Sequence, residues 1–195
     1  MKTLDEIKKF IIENKTGYLE VNTVKDMGKG IYDKAILYLL SQINQDEEVS
    51  FALCTNGVYS GSRAVAGGKV IFFITNSRIL YGCKDFLGAT LKSISFDDCN
   101  DIESSTIFSL FTGKVYINTK TEKISFEIDK KHCLRIANEI NSLIKEINKT
   151  KRSEATVVVQ QASGANELLA YKQLLDQGII TQEEFDIKKK QILGL

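Results

Sequence analysis

Gly67-Gly68-Lys69-Val70-Ile71-Phe72-Phe73-Ile74-Thr75-Asn76-Ser77-Arg78-Ile79-Leu80-Tyr81-Gly82 is the stretch that decides the fold. It holds two apolar runs rich in β-branched and aromatic residues, separated by Thr75-Asn76-Ser77. Such a pattern predicts a hairpin whose strands are buried on at least one face. Asn76 suits the turn because it tolerates φ > 0 and can bond its own backbone.

Working outward, Val49-Ser50-Phe51-Ala52-Leu53 alternates apolar and polar residues and reads as a half-buried first strand. Ser60 to Gly68 reads as a loop of small residues containing Arg63, and Gly82 to Gly88 as a second loop. Further strands are expected at Leu91–Phe96, Ile107–Phe111, Val115–Asn118 and Ile124–Ile128. In the last, Ile124, Phe126 and Ile128 face one way while Ser125 and Glu127 face the other. Asp129 is placed to cap a helix to about Asn148 with Ile136, Ile140, Leu143 and Ile147 as its apolar stripe. A helix striped in this way after antiparallel strands should lie against the sheet.

Upstream, Thr3-Leu4-Asp5-Glu6 is a capping box for a helix reaching Asn14. Tyr18 to Lys29 fits a small strand or a helix equally. Ala35, Ile36, Leu39, Leu40 and Ile43 recur at helical spacing and predict a helix over Ile31–Ile43.

These elements sum to an α+β chain in which about seven antiparallel strands are capped by a helix. That order resembles the pleckstrin-homology (PH)-like fold, a β-sandwich or partly open barrel. The string at 68–80, with Ile94-Ser95-Phe96-Asp97-Asp98 and Gly113-Lys114-Val115-Tyr116-Ile117, resembles bacterial PH domains of the YokE-like type. The resemblance covers roughly 47–148, and the helix at 31–43 would be its lead-in. It implies a domain over 47–149, preceded by a helical segment over 1–46. Some bacterial PH-like domains form rings or other oligomers. Eukaryotic PH domains hold inositol phosphates with cations near the first hairpin, and Arg63, Lys69 and Arg78 lie in roughly that region. By this route the resemblance implies a lipid- or phosphate-binding alternative to protein association.

From Thr150 to Gly164 the composition becomes linker-like, apart from Val157-Val158-Val159, which fits an edge strand or a tolerated run. Residues 165–195 then read as a two-helix hairpin. Asn166 can cap the first helix to Gln177, and Gly178 stops it. Thr181 and Glu184 form a second capping box, with Ile180 and Phe185 as its hydrophobic staple. The segment resembles the SHOCT (short C-terminal domain) family along its whole length. About 31 residues cannot bury enough surface to fold alone, and no cysteine or histidine is present to staple them. Leu168, Leu175, Ile180, Phe185 and Ile192 are therefore expected to dock on a second copy in a homo-oligomer, on a different protein or back on the PH-like domain, with another chain favoured because the polar linker lets the tail leave its own body.

Composition narrows the remaining chemistry. Twenty-six basic residues against 25 acidic ones leave a net charge of +1, which supplies no global field for nucleic acid or an anionic membrane. Residues 129–152 carry a local excess of cations, including Lys131, Arg135, Lys145 and Lys149. No aromatics interleave with them, so nucleic acid is not expected. The four cysteines lack CxxC spacing, and His132 is the sole histidine. Neither a zinc site nor a base-activated nucleophile follows from that set, and no cofactor is expected. Asp97, Asp98, Asp101 and Glu103 read as a solvated acidic turn, because the alternation and glycine of a calcium loop are missing. With no apolar leader or membrane-length run, the chain reads as a cytoplasmic, non-enzymatic interaction module.

Overall fold

The computed structural model describes residues 2–193 apart from residue 108, and side chains apart from those of 152–166. Two compact units divide the chain, one over 1–147 and one over 148–195.

In the first unit three short helices, α1 (Leu4–Glu13), α2 (Glu20–Gly28) and α3 (Asp33–Leu40), precede seven strands. The strands are β1 (Val49–Ser60), β2 (Arg63–Thr75), β3 (Arg78–Lys84), β4 (Ala89–Ser95), β5 (Cys99–Ser105), β6 (Thr112–Thr119) and β7 (Lys123–Asp129). They form one antiparallel sheet in the order β4-β3-β2-β1-β7-β6-β5, with β4 and β5 at its two edges. Helix α4 (Cys133–Asp176) begins by packing Cys133, Ile136, Ala137, Ile140 and Ile144 into the core of this sheet.

The unbroken apolar run at the heart of β2 now has its reason. Val70, Phe72 and Ile74 point into the core shared with β5, β6, β7 and α4, while Ile71 and Phe73 point into a second core under α1–α3. A strand covered on both faces needs no polar alternation. The capping box of α1 forms as its sequence dictates: Thr3 N–H donates to Glu6 Oε2 at 2.7 Å and Glu6 N–H to Thr3 Oγ1 at 3.3 Å.

Several boundaries differ from the sequence reading, each for a local reason. Residues 18–29 resolve into α2. The helix expected over 31–43 is confined to Asp33–Leu40. β1 continues to Ser60 and β2 starts at Arg63, so the expected loop over 60–68 shrinks to Gly61-Ser62. Small residues hide those strand ends: Gly57 pairs with Gly67, Val58 with Ala66 and Tyr59 with Ala64. Gly61 adopts φ +59, which a side chain would disfavour. The strand expected at Ile107–Phe111 lies instead at Cys99–Ser105, where Asp101 and Glu103 on the exposed face disguise it. Ile107, Leu110 and Phe111 lie in the following connection and are exposed.

Asp129 does not cap α4. Its Oδ1 accepts the Lys131 N–H, its Oδ2 accepts the Glu20 N–H, and the helix starts at Cys133. Asn76 keeps φ negative and bonds across the fold, accepting the Glu48 N–H and donating to the Asp46 carbonyl.

In the second unit α4 runs on to Asp176 and α5 spans Gln182–Leu193. The sequence suggested two helices separated by a linker over 150–164. That linker, Val157–Val159 and the Asn166 cap fall almost entirely within 152–166, outside the described side chains.

Candidate functional site

Of the three cations singled out near the central strands, two are engaged within the fold. Arg78 donates from Nε to Glu47 Oε1 at 2.9 Å, and from Nη2 to Glu47 Oε2 at 2.8 Å and the Gln42 carbonyl at 3.0 Å. This fork ties the α3–β1 connection to the β2–β3 turn. Lys69 donates to Asp26 Oδ2 at 2.7 Å and Asn56 Oδ1 at 3.0 Å, and its ammonium lies over the Tyr32 ring. Helix α2 is thereby fastened to β2. Arg63 sits exposed at the start of β2, opposite Ser60. Arg63 and Arg78 flank opposite ends of the 13-residue β2, a contour of roughly 40 Å at about 3.3 Å per residue. The fold does not gather the three into one cluster.

A different set of polar groups does converge. β1 pairs with β7 only over Val58–Ser60, opposite Phe126–Ile124, and then parts from it. Further along, the α1–α2 connection fills the gap. Cys54 N–H donates to the Thr16 carbonyl at 3.0 Å and Asp129 N–H to the Gly17 carbonyl at 3.1 Å. Thr16 Oγ1 adds a bond to the Ala52 carbonyl at 2.7 Å. Beside this gap lies a cleft of about 260 Å³, lined among others by Tyr18, Thr55, Tyr59, Ser62, Lys114 and Glu127. Thr55 Oγ1 donates to the Glu127 carbonyl at 2.7 Å, so the parted strands stay tethered. Sequence reasoning missed this cleft. Its one local signal is Asn56-Gly57, which interrupts the first strand where the register shifts.

Among the described residues, His132 and the cysteines are not paired with one another. His132 Nε2 lies 3.6 Å from Glu20 Oε2. Cys133 turns inward, its Sγ 3.4 Å from the Lys114 carbonyl, and burial raises its pKa. Burial likewise pushes Cys54 up to about 11, against weaker opposition from hydrogen bonding to Tyr32. Among the described residues no group of acids, histidines and cysteines has metal-binding geometry, and no helix is long and apolar enough to cross a membrane.

The second unit carries the hairpin. Gly178 takes φ +69 at the stop of α4, and its N–H donates to the Leu175 carbonyl. The Thr181–Glu184 capping box closes at 3.3 Å (Glu184 N–H to Thr181 Oγ1) and 2.8 Å (Thr181 N–H to Glu184 Oε2). Lys188 lies over the Tyr171 ring, joining the two helices. Leu168, Leu175, Ile180, Phe185 and Ile192 are each half-buried, and α5 contains no fully buried residue. Leu169, Ile179, Ile187 and Leu193 are more than half exposed.

Residues 166–193 match the family described as the short C-terminal domain. No curated protein matches the chain. Among solved structures, the Vps36 N-terminal PH domain aligns at 17% identity and TM-score 0.46, over 55% of this chain and 86% of that one. The hSac2 domain of human phosphoinositide phosphatase Sac2 aligns at 15% and 0.40, over 61% and 82%. A PH-domain-containing bacterial protein from Exiguobacterium sibiricum aligns at 13% and 0.39, over 86% and 87%. The family described as the bacterial PH domain matches residues 33–146, more than half of the chain, and the protein belongs to that family.

Proposed function

We propose that the protein is a non-enzymatic association module of the cytoplasm. In this reading the bacterial PH domain is the folded body, and the C-terminal hairpin docks on a second copy of the chain. One observation carries the reading: the hairpin's inner apolar positions are only partly buried, α5 buries no residue completely, and Leu169, Ile179, Ile187 and Leu193 beside them are more than half exposed. Caps specify each helix locally, at about 1 kcal/mol apiece, yet they cover no apolar surface. Surface left open on so short a hairpin is covered by association. Leu168, Leu175, Ile180, Phe185 and Ile192 are the docking residues.

Light scattering on the full chain and on a chain lacking 165–195 tests this. The full chain should run above monomer mass and the truncated chain at monomer mass, with Phe185→Ser plus Ile192→Ser reproducing the truncation. Equal masses for all three would reject self-association through the tail. Vesicles of phosphatidylserine provide the competing arm. Strong co-sedimentation lost on Arg63→Glu, which leaves the Lys69–Asp26 contact in place, would replace association by the lipid-binding reading.

A further inference from the structure

We propose that the cleft between β1 and β7 binds a small zwitterion of amino-acid or dipeptide type, its carboxylate on Lys114 and its ammonium on Glu127. All of its lining residues belong to the first unit.

The cleft runs along β1 and its turn from Thr55 to Ser62 and is flanked by the β6–β7 register pair Lys114–Glu127, so its frame is the sheet itself and is formed before any ligand arrives. Preformed concave sites with a few convergent polar groups are where small molecules bind.

Its charges select the ligand. Lys114 and Glu127 are register partners on β6 and β7, which sets their Cβ atoms about 5 Å apart. Opposite charges at such positions commonly pair, yet among the ion pairs of the described residues there is none between these two, and both line the cleft. Glu127 Oε2 accepts from Thr112 Oγ1 at 3.2 Å, while Oε1 has no hydrogen-bond partner among the described residues. Lys114 Nζ likewise donates to no described residue. The cleft therefore presents side by side a solvent-accessible cation and an anion that are not paired with each other.

The neutral lining fits the same division. Tyr59 lies over Gly57, where a Cβ would stand 3.1 Å from the tyrosine oxygen, and its ring lines the cleft. Tyrosine faces beside a carboxylate suit an ammonium group. Lys114 and the Ser62 hydroxyl are donors for a carboxylate. A simple anion would set its charge against Glu127, and a simple cation against Lys114. Each mismatch costs binding that a ligand bearing both charges recovers. The volume of about 260 Å³ limits the ligand to a few residues' worth of atoms.

The test is a ¹⁵N amide-shift titration of the full chain with L-alanyl-L-alanine, alongside N-acetyl-L-alanine, L-alaninamide and inorganic phosphate. Saturable shifts should be confined to amides around Gly57, Ser62, Lys114 and Glu127. Affinity should fall about tenfold or more for each singly charged probe, and by a similar factor with Lys114→Gln or Glu127→Gln. Both positions are half-exposed, and Gln at 127 keeps an acceptor for Thr112, so amide spectra of the variants should remain those of the folded chain. No saturable shift through roughly 10 mM dipeptide, a range that reaches Kd values weaker than 1 mM, would overturn the proposal. So would phosphate or N-acetyl-L-alanine binding as tightly as the dipeptide.

Discussion

Asn141 on α4 reads the main chain of Ile102 on β5 as a neighbouring strand would. Its Nδ2 donates to the Ile102 carbonyl at 2.8 Å, and its Oδ1 accepts the Ile102 N–H at 3.2 Å. β5 is an edge strand, and an unpaired edge is a template for unwanted pairing. One amide side chain closes the middle of that edge and at the same time sets the position of α4 along it.

Replacing Asn141 separates the two roles. Asn141→Asp keeps an acceptor for the Ile102 N–H but offers no donor to the carbonyl, and Asn141→Leu offers neither. We expect Asn141→Leu to lose about 1–3 kcal/mol, since both partly buried main-chain groups lose their partner. Amide exchange at Ile102 should accelerate more in the Leu variant than in the Asp variant. Equal protection of Ile102 in all three proteins would show that the pair does not hold the edge.

Gly17 is required by space. A Cβ there would collide with the Thr23 side chain, standing 2.7 Å even from its Cβ. The Gly17 carbonyl accepts the Asp129 N–H, so displacing this segment also loosens the closure between β1 and β7. Gly17→Ala should therefore destabilise the domain by about 1–3 kcal/mol, the usual cost of overpacking. A thermal melt within a degree or two of the parent would refute the close approach.

Ile136 tests the docking of α4. The side chain is fully buried in the core shared by both halves of the sheet. Ile136→Asp would bury a carboxylate without a partner, and a loss on the order of 4–5 kcal/mol is expected. An unchanged chemical denaturation midpoint would remove α4 from that core.

This helix also marks what the sequence makes legible. Its stripe, the hairpin at 67–82 and the Thr181–Glu184 box are local patterns, and each emerges in the fold where its periodicity or spacing places it. Features that depend on distant partners do not show locally. β5 is carried by β6 and Asn141, so its own residues look like an acidic turn. Arg78 and Lys69 look like free cations until Glu47 and Asp26 arrive from elsewhere in the chain. The cleft is less legible still, because its lining is drawn from the α1–α2 connection, β1 and its turn, β6 and β7, which lie far apart in sequence.

Glu47 links the fold to pH. Burial favours its neutral form, but hydrogen bonds from Arg78, Thr75, Ser77 and the Asn44 N–H outweigh that and hold the carboxyl at about 2, against an ordinary value of 4.5. Its side chain is only 3% exposed, so solvent screens these contacts little. The folded state thus binds this proton more weakly than the unfolded chain does. The associated stability, on the order of 3 kcal/mol, is fully present above pH 4.5 and drains away as pH falls toward 2. Glu47→Gln removes the titration and leaves Arg78 without its counter-charge, so the variant should be weaker at pH 7 yet lose less stability between pH 4.5 and 2. Urea denaturation at several pH values through that window measures both effects. Parallel stability curves for the parent and Glu47→Gln proteins would mean that the Glu47–Arg78 pair contributes nothing to acid unfolding.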